Sequence, residues 1–134
     1  MEEKNQFAIE LSKKFDKDVD KGHFSKIDIA LLKLILSNLK GDSEDYLFNF
    51  DQVESIGFDL SINNSELFSS LQKIANYYVN IQNGYGDYYK VGLIDNKFTI
   101  DQEVKILSVK IHKELVPFLT SLKEQYVPLI DVDS

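Results

Sequence analysis

The feature that most limits what this chain can fold into is a change of apolar period near Tyr88. Before it, apolar residues recur three and four positions apart, as on one face of a helix. From Tyr88 to Ile111 they alternate, as on a half-buried strand, and at His112 the helical spacing returns. A late β-ribbon set between helices is therefore required. The 134 residues suffice for one compact domain and not comfortably for two.

End signals bound the helices. "FAIELSKKF" puts Phe7, Leu11 and Phe15 on one stripe and predicts a leading helix; "DKDVDKGH" breaks it with acids and Gly22 and predicts a solvated linker. Ser25 and Asp28 have capping-box spacing, with Phe24 and Ile29 placed as a hydrophobic staple. "IDIALLKLILSNLK" follows, apolar over so wide a face that the helix must be enclosed on most sides, and Gly41 supplies its stop. "YLFNF" is a short β-type run. Asp51 and Glu54 then have the spacing of a helix start, and Gly57 ends that helix soon after.

Asn63 is placed to cap the next helix, with Glu66 at its third position and Ile62 facing Leu67. Leu67, Leu71, Ile74, Tyr78 and Ile81 form its inward stripe, predicting a helix over Asn64–Gln82 that Asn83-Gly84 ends. "YYKVGLIDNKFTI" and "VKILSVKI" predict two strands joined at Asp101-Gln102-Glu103. Asp95-Asn96 is either a second turn or a bulge, and an irregularity within one long strand is preferred. "KELVPFLTSLKEQY" is the final helix, interrupted or restarted at Pro117 and ended by Pro128.

This order predicts an α+β fold of the winged-helix kind, a helix-turn-helix with a two-stranded β-ribbon wing and flanking helices. Residues 1–23 are expected to be the leading helix and charged linker, and residues 24–134 the winged-helix domain. The competing expectation is a generic α+β domain with the same elements packed differently.

The stretch from Phe24 to Tyr126 resembles the first winged-helix domain of plasmid replication initiator (Rep) proteins. The resemblance runs through the Leu-rich helix, the extended segment holding Phe48 and Phe50, the short helix ending in Gly57, and "LFSSLQKIANYYVNI". It is most specific in "VKILSVKIHKELVPFLTSLKEQY", where Glu114, Leu115, Pro117, Phe118 and Leu119 match an acid-Leu-x-Pro-aromatic-Leu helix after an alternating strand. Such proteins read origin repeats with two successive winged helices, the first contributing dimerisation and supporting DNA contacts. The resemblance implies a non-covalent role in plasmid replication initiation, with double-stranded DNA, a second copy of the chain and replication proteins as partners. No second winged helix follows within these residues, so DNA binding by this chain alone is expected to be weak.

Candidate DNA contacts lie opposite the inward stripe: Ser69, Gln72, Lys73, Asn76 and Asn80. Gln and Asn can bond adenine bidentately, and Lys can meet phosphate or guanine. Lys97 and Lys105 flank the Asp101–Glu103 turn, where a wing meets backbone phosphate. The bland alternatives are a solvated helix face and edge-strand lysines that guard against aggregation. The chain also carries a net charge of −7, from 22 acids against 15 lysines and no arginine. That balance favours a different class of function, an acidic winged-helix interaction or regulatory module that does not bind DNA itself. A basic strip on the exposed helix face and wing is expected for the first function, and a neutral or acidic one for the second. Tyr77, Tyr78, Tyr85, Tyr88 and Tyr89 gather where helix meets ribbon, as a homodimer interface or as hairpin packing.

Other chemistry finds little support. "FDKDVDKGHFSKID" imitates a calcium loop, but counting from Asp16 places Gly22 one position late and Ile27 where the bidentate acid belongs. There is no cysteine, and the two histidines, His23 and His112, join no nucleophile, zinc or phosphate-loop pattern. No enzyme activity, cofactor, metal or small-molecule substrate is expected. The charged N-terminus is unlike a signal peptide, which points to a cytoplasmic protein.

Overall fold

The structure is a computed structural model and describes residues 13–40, 45–61, 63–82 and 85–126. Residues 13–20 form the helical segment α1, whose Phe15 is fully buried. Its ring meets those of Phe24 and Tyr77, and the Tyr77 hydroxyl donates to Asp18 Oδ2 at 2.5 Å. The solvated linker is therefore shorter than expected: residues 16–20 continue the helix, and only residues 21–25 separate it from the next one. Phe7 and Leu11 of the expected stripe lie outside the described residues.

Helix α2, Lys26–Ser37, opens with the expected capping box, since Ser25 and Asp28 exchange backbone-to-side-chain bonds. Leu31, Leu32, Ile35 and Leu36 are buried, as its wide apolar face requires, and it packs on the helices Ser65–Ala75 and Val116–Tyr126. It ends with Asn38 at the C-cap; Gly41 lies outside the described residues. Strand β1, Asp45–Asn49, alternates, with Tyr46 and Phe48 buried and Leu47 outward. Helix α3, Phe50–Glu54, is capped by Asn49 with Gln52 rather than by Asp51 with Glu54. Starting two residues earlier puts Phe50 and Val53 inside. Gly57, at φ +122, turns the chain after α3.

Helix α4 spans Ser65–Ala75 with Asn64 rather than Asn63 at its N-cap and no side-chain cap bond; Asn63 stands one residue earlier and accepts the Ser65 amide and hydroxyl at 3.0 and 2.6 Å. It does not continue to Gln82. Tyr78–Gln82 is strand β2, paired antiparallel with β3, Tyr88–Gly92, in a separate two-stranded sheet. Thus Tyr78 is half-exposed rather than part of an inward helical stripe, and Val79 and Ile81 face in. The long ribbon strand is also divided. After β3 the chain turns at Asp95, whose Oδ1 accepts the Lys97 amide at 2.8 Å, and then enters β4, Thr99–Asp101. Strand β5, Ile106–Lys110, lies between β1 and β4, giving a three-stranded antiparallel sheet in the order β1-β5-β4. His112 caps a 3-10 turn, Lys113–Leu115, that leads into α5, Val116–Tyr126, with Pro117 in its first turn where no amide donor is needed.

The architecture is α+β, with α2, α4 and α5 packed around one apolar core that Leu107, Val109, Leu115 and Phe118 join from the end of the chain. Among the described residues no helix is long and apolar enough to cross a membrane.

Candidate nucleic-acid interface

Helix α4 is two-faced. Leu67, Leu71, Ile74 and Ala75 are buried, while Ser69, Gln72 and Asn76 are exposed. These three are therefore brought together on one outward stripe, with Asn76 at the C-cap. Phe68 interrupts their surroundings: it is 45% exposed, and its ring meets Phe98 edge-on at 5.5 Å, holding α4 to the chain entering β4.

Lys73 does not behave as a free cation. Its Nζ lies 3.0 Å from Asp28 Oδ2, at a carboxylate almost wholly buried beneath α2 and α4. Asp28 also accepts the Ser70 hydroxyl at 2.5 Å and the Ser25 amide at 2.9 Å. Burial alone would raise the pKa of Asp28; the bonds from Ser70, the Ser25 amide and Lys73 outweigh it and hold the carboxyl below its ordinary value. Two turns of α4 are thereby tied to the first turn of α2. Sequence reasoning missed this because Asp28 has a complete role as a capping residue. The available signal was Ser70, a polar residue inside an apolar stripe, with Lys73 one turn further along the same helix.

The remaining expected contacts are dispersed. Asn80 belongs to β2, opposite Lys90 of β3, on the outer face of that hairpin rather than on α4. Lys97 lies in the Asp95 turn that precedes β4, whereas Lys105 lies at the opposite end of the β4–β5 ribbon, with φ +58. The ribbon turn comprises Gln102–Lys105, and Asp101 Oδ1 accepts the Glu103 and Val104 amides at 2.9 and 3.2 Å. Its tip is exposed and carries Asp101 and Glu103 against Lys105. On α4 the exposed charges are Glu66 and the paired Lys73. Among the described residues the candidate face is thus rich in amides and hydroxyls, without a connected basic strip.

Comparison of the chain with protein-family models, with curated proteins and with solved structures finds no match in any of the three.

Proposed function

We propose that the chain is a winged-helix domain of the replication-initiator kind, acting non-covalently in plasmid replication initiation by pairing with a second copy and adding weak contacts to double-stranded DNA. The observation that carries this is the path of the chain: α3 and α4 are followed by a β4–β5 hairpin whose second strand pairs with β1, the strand that precedes them. A helix pair closed into a sheet in this way, with amides outward on its second helix, supports the winged-helix reading. Gln72 and Asn76 supply base-directed bonds from the major groove, and Lys105 supplies a point charge for phosphate. Lys73 helps fix the angle between α2 and α4 instead of meeting DNA. With so few cations the affinity of one protomer is low, and pairing is what matches it to repeated half-sites.

Fluorescence anisotropy with random and AT-rich duplexes checks the DNA part. Expected are weak binding at low salt, a salt slope of only a few phosphates per protomer, and loss of AT preference in Gln72→Ala. Unchanged binding in that variant would remove α4 from the interface. Sedimentation from micromolar to millimolar checks the pairing, and a constant monomer mass would refute it.

A protein-interaction module is the second reading, and one observation favours it: the outer face of α4 has no unpaired lysine, and the ribbon tip carries two acids to one lysine. Absence of DNA binding at low salt would select it.

A further inference from the structure

We infer that the cleft between the two sheets binds a small phosphate-bearing aromatic ligand, a nucleotide in chemical class. The cleft has a volume of about 510 Å³, within the range of small-molecule sites. Its walls come from separate parts of the chain. Tyr78 and Lys90 line it from the outer face of the β2–β3 hairpin, Asp95 from the turn after β3, and Lys110 with His112 from the end of β5.

Three features select the ligand. First, Gly92 pairs with Tyr78 and offers no side chain to cover the ring, which is 49% exposed and oriented by a 3.3 Å bond from its hydroxyl to Asn76 Oδ1. An uncovered, oriented aromatic ring is a stacking platform for a planar base. Second, Lys90 and Lys110 line the cleft from different sheets, and ammonium groups are suited to phosphate. Lys110 is only loosely opposed by Asp45, at 3.8 Å with both side chains mostly exposed. Third, the side chains lining the cleft include two lysines and one acid, Asp95, in a chain of net charge −7, with Asp45 set against Lys110 from outside the lining. Asp95 opposes the two lysines, and so does the carbonyl end of α4 at Ala75, but that end amounts to about half a charge. The lining is drawn from distant segments, so no local motif announces it, and the expectation of no small-molecule substrate had nothing to set against it. The proposal does not depend on DNA binding by α4.

Calorimetric titration of the full chain with thymidine monophosphate, inorganic phosphate, thymidine and a short duplex tests it. Expected are binding of the monophosphate, weaker binding of inorganic phosphate, and none of thymidine. Lys90→Ala and Lys110→Ala should each weaken the monophosphate by about tenfold or more, as the loss of a bond to a charged group does. Lys33→Ala, an exposed lysine on α2 outside the cleft, should leave it unchanged. Tyr78→Ala should erase the advantage of the monophosphate over inorganic phosphate. No heat with the monophosphate, equal binding of thymidine, indifference to both cleft lysines, or binding of the duplex alone would each overturn the proposal.

Discussion

Asp28 is where the largest consequence rests on a single side chain. A buried carboxylate is tolerated only with donors around it, and here a hydroxyl, an amide and an ammonium converge on it. Asp28→Ala should cost about 2–4 kcal/mol in urea unfolding at neutral pH, because Ser70 and Lys73 lose their shared acceptor. Lys73→Ala should cost less, roughly 1–2 kcal/mol, since Lys73 is half-exposed and the other two donors remain. The pH dependence follows from the sign of the shift. The folded-state pKa of Asp28 is depressed, so its contribution is full above the unfolded value of about 3.9 and is lost as pH falls through the lower, folded value. The stability gap between the native chain and Asp28→Asn should therefore be constant near neutrality and close only in acid. A gap that widened on acidification, or a silent Asp28→Ala, would contradict this role. Replacement of Lys73 is consequently an unsafe probe of DNA contact, for it perturbs the fold as well.

At the scale of elements, the α4–β2 border shows what sequence could and could not disclose. Residues Ile74, Tyr78 and Ile81 fit a helix face, while Tyr77, Val79 and Ile81 fit a strand face equally well. Over so short a run the choice falls to pairing partners, and β3 provides them through Val79↔Val91 and Ile81↔Tyr89. Nothing in the segment itself reveals a partner ten residues away. Capping signals, which are local, were legible at Ser25 and partly at Asn63; the order of helices and the late ribbon were legible because they span many residues. The division at Asp95 was not, since a side chain accepting an amide two residues on is equally compatible with a bulge. Gly92 is the hinge point between helix and hairpin: a Cβ there would stand 2.0 Å from the Ala75 carbonyl oxygen. Gly92→Ala should thus force α4 and β3 apart and destabilise the fold by about 1–3 kcal/mol, the usual cost of overpacking. An alanine variant with unchanged thermal stability would show that the helix end and the hairpin are not in close register.

For the molecule as a whole, charge decides more than shape. The exposed amides Gln72 and Asn76 were identifiable from helical spacing alone, and they do share a face with Ser69. Asn80 was not separable from them in sequence, and Lys97 and Lys105 were expected to flank a single ribbon turn, because these positions depend on how two sheets are threaded rather than on a local period. What remains is an outward face of amides and hydroxyls with little phosphate attraction of its own, to which the proposed function assigns light, base-directed contact. The most direct test is two-dimensional NMR of the isotope-labelled chain titrated with an AT-rich duplex at low salt. The account predicts amide shifts concentrated at Ser69–Asn76 and at the Gln102–Lys105 turn, fading as salt rises. An α4 that stays unperturbed while another surface responds, or no response anywhere, would contradict it.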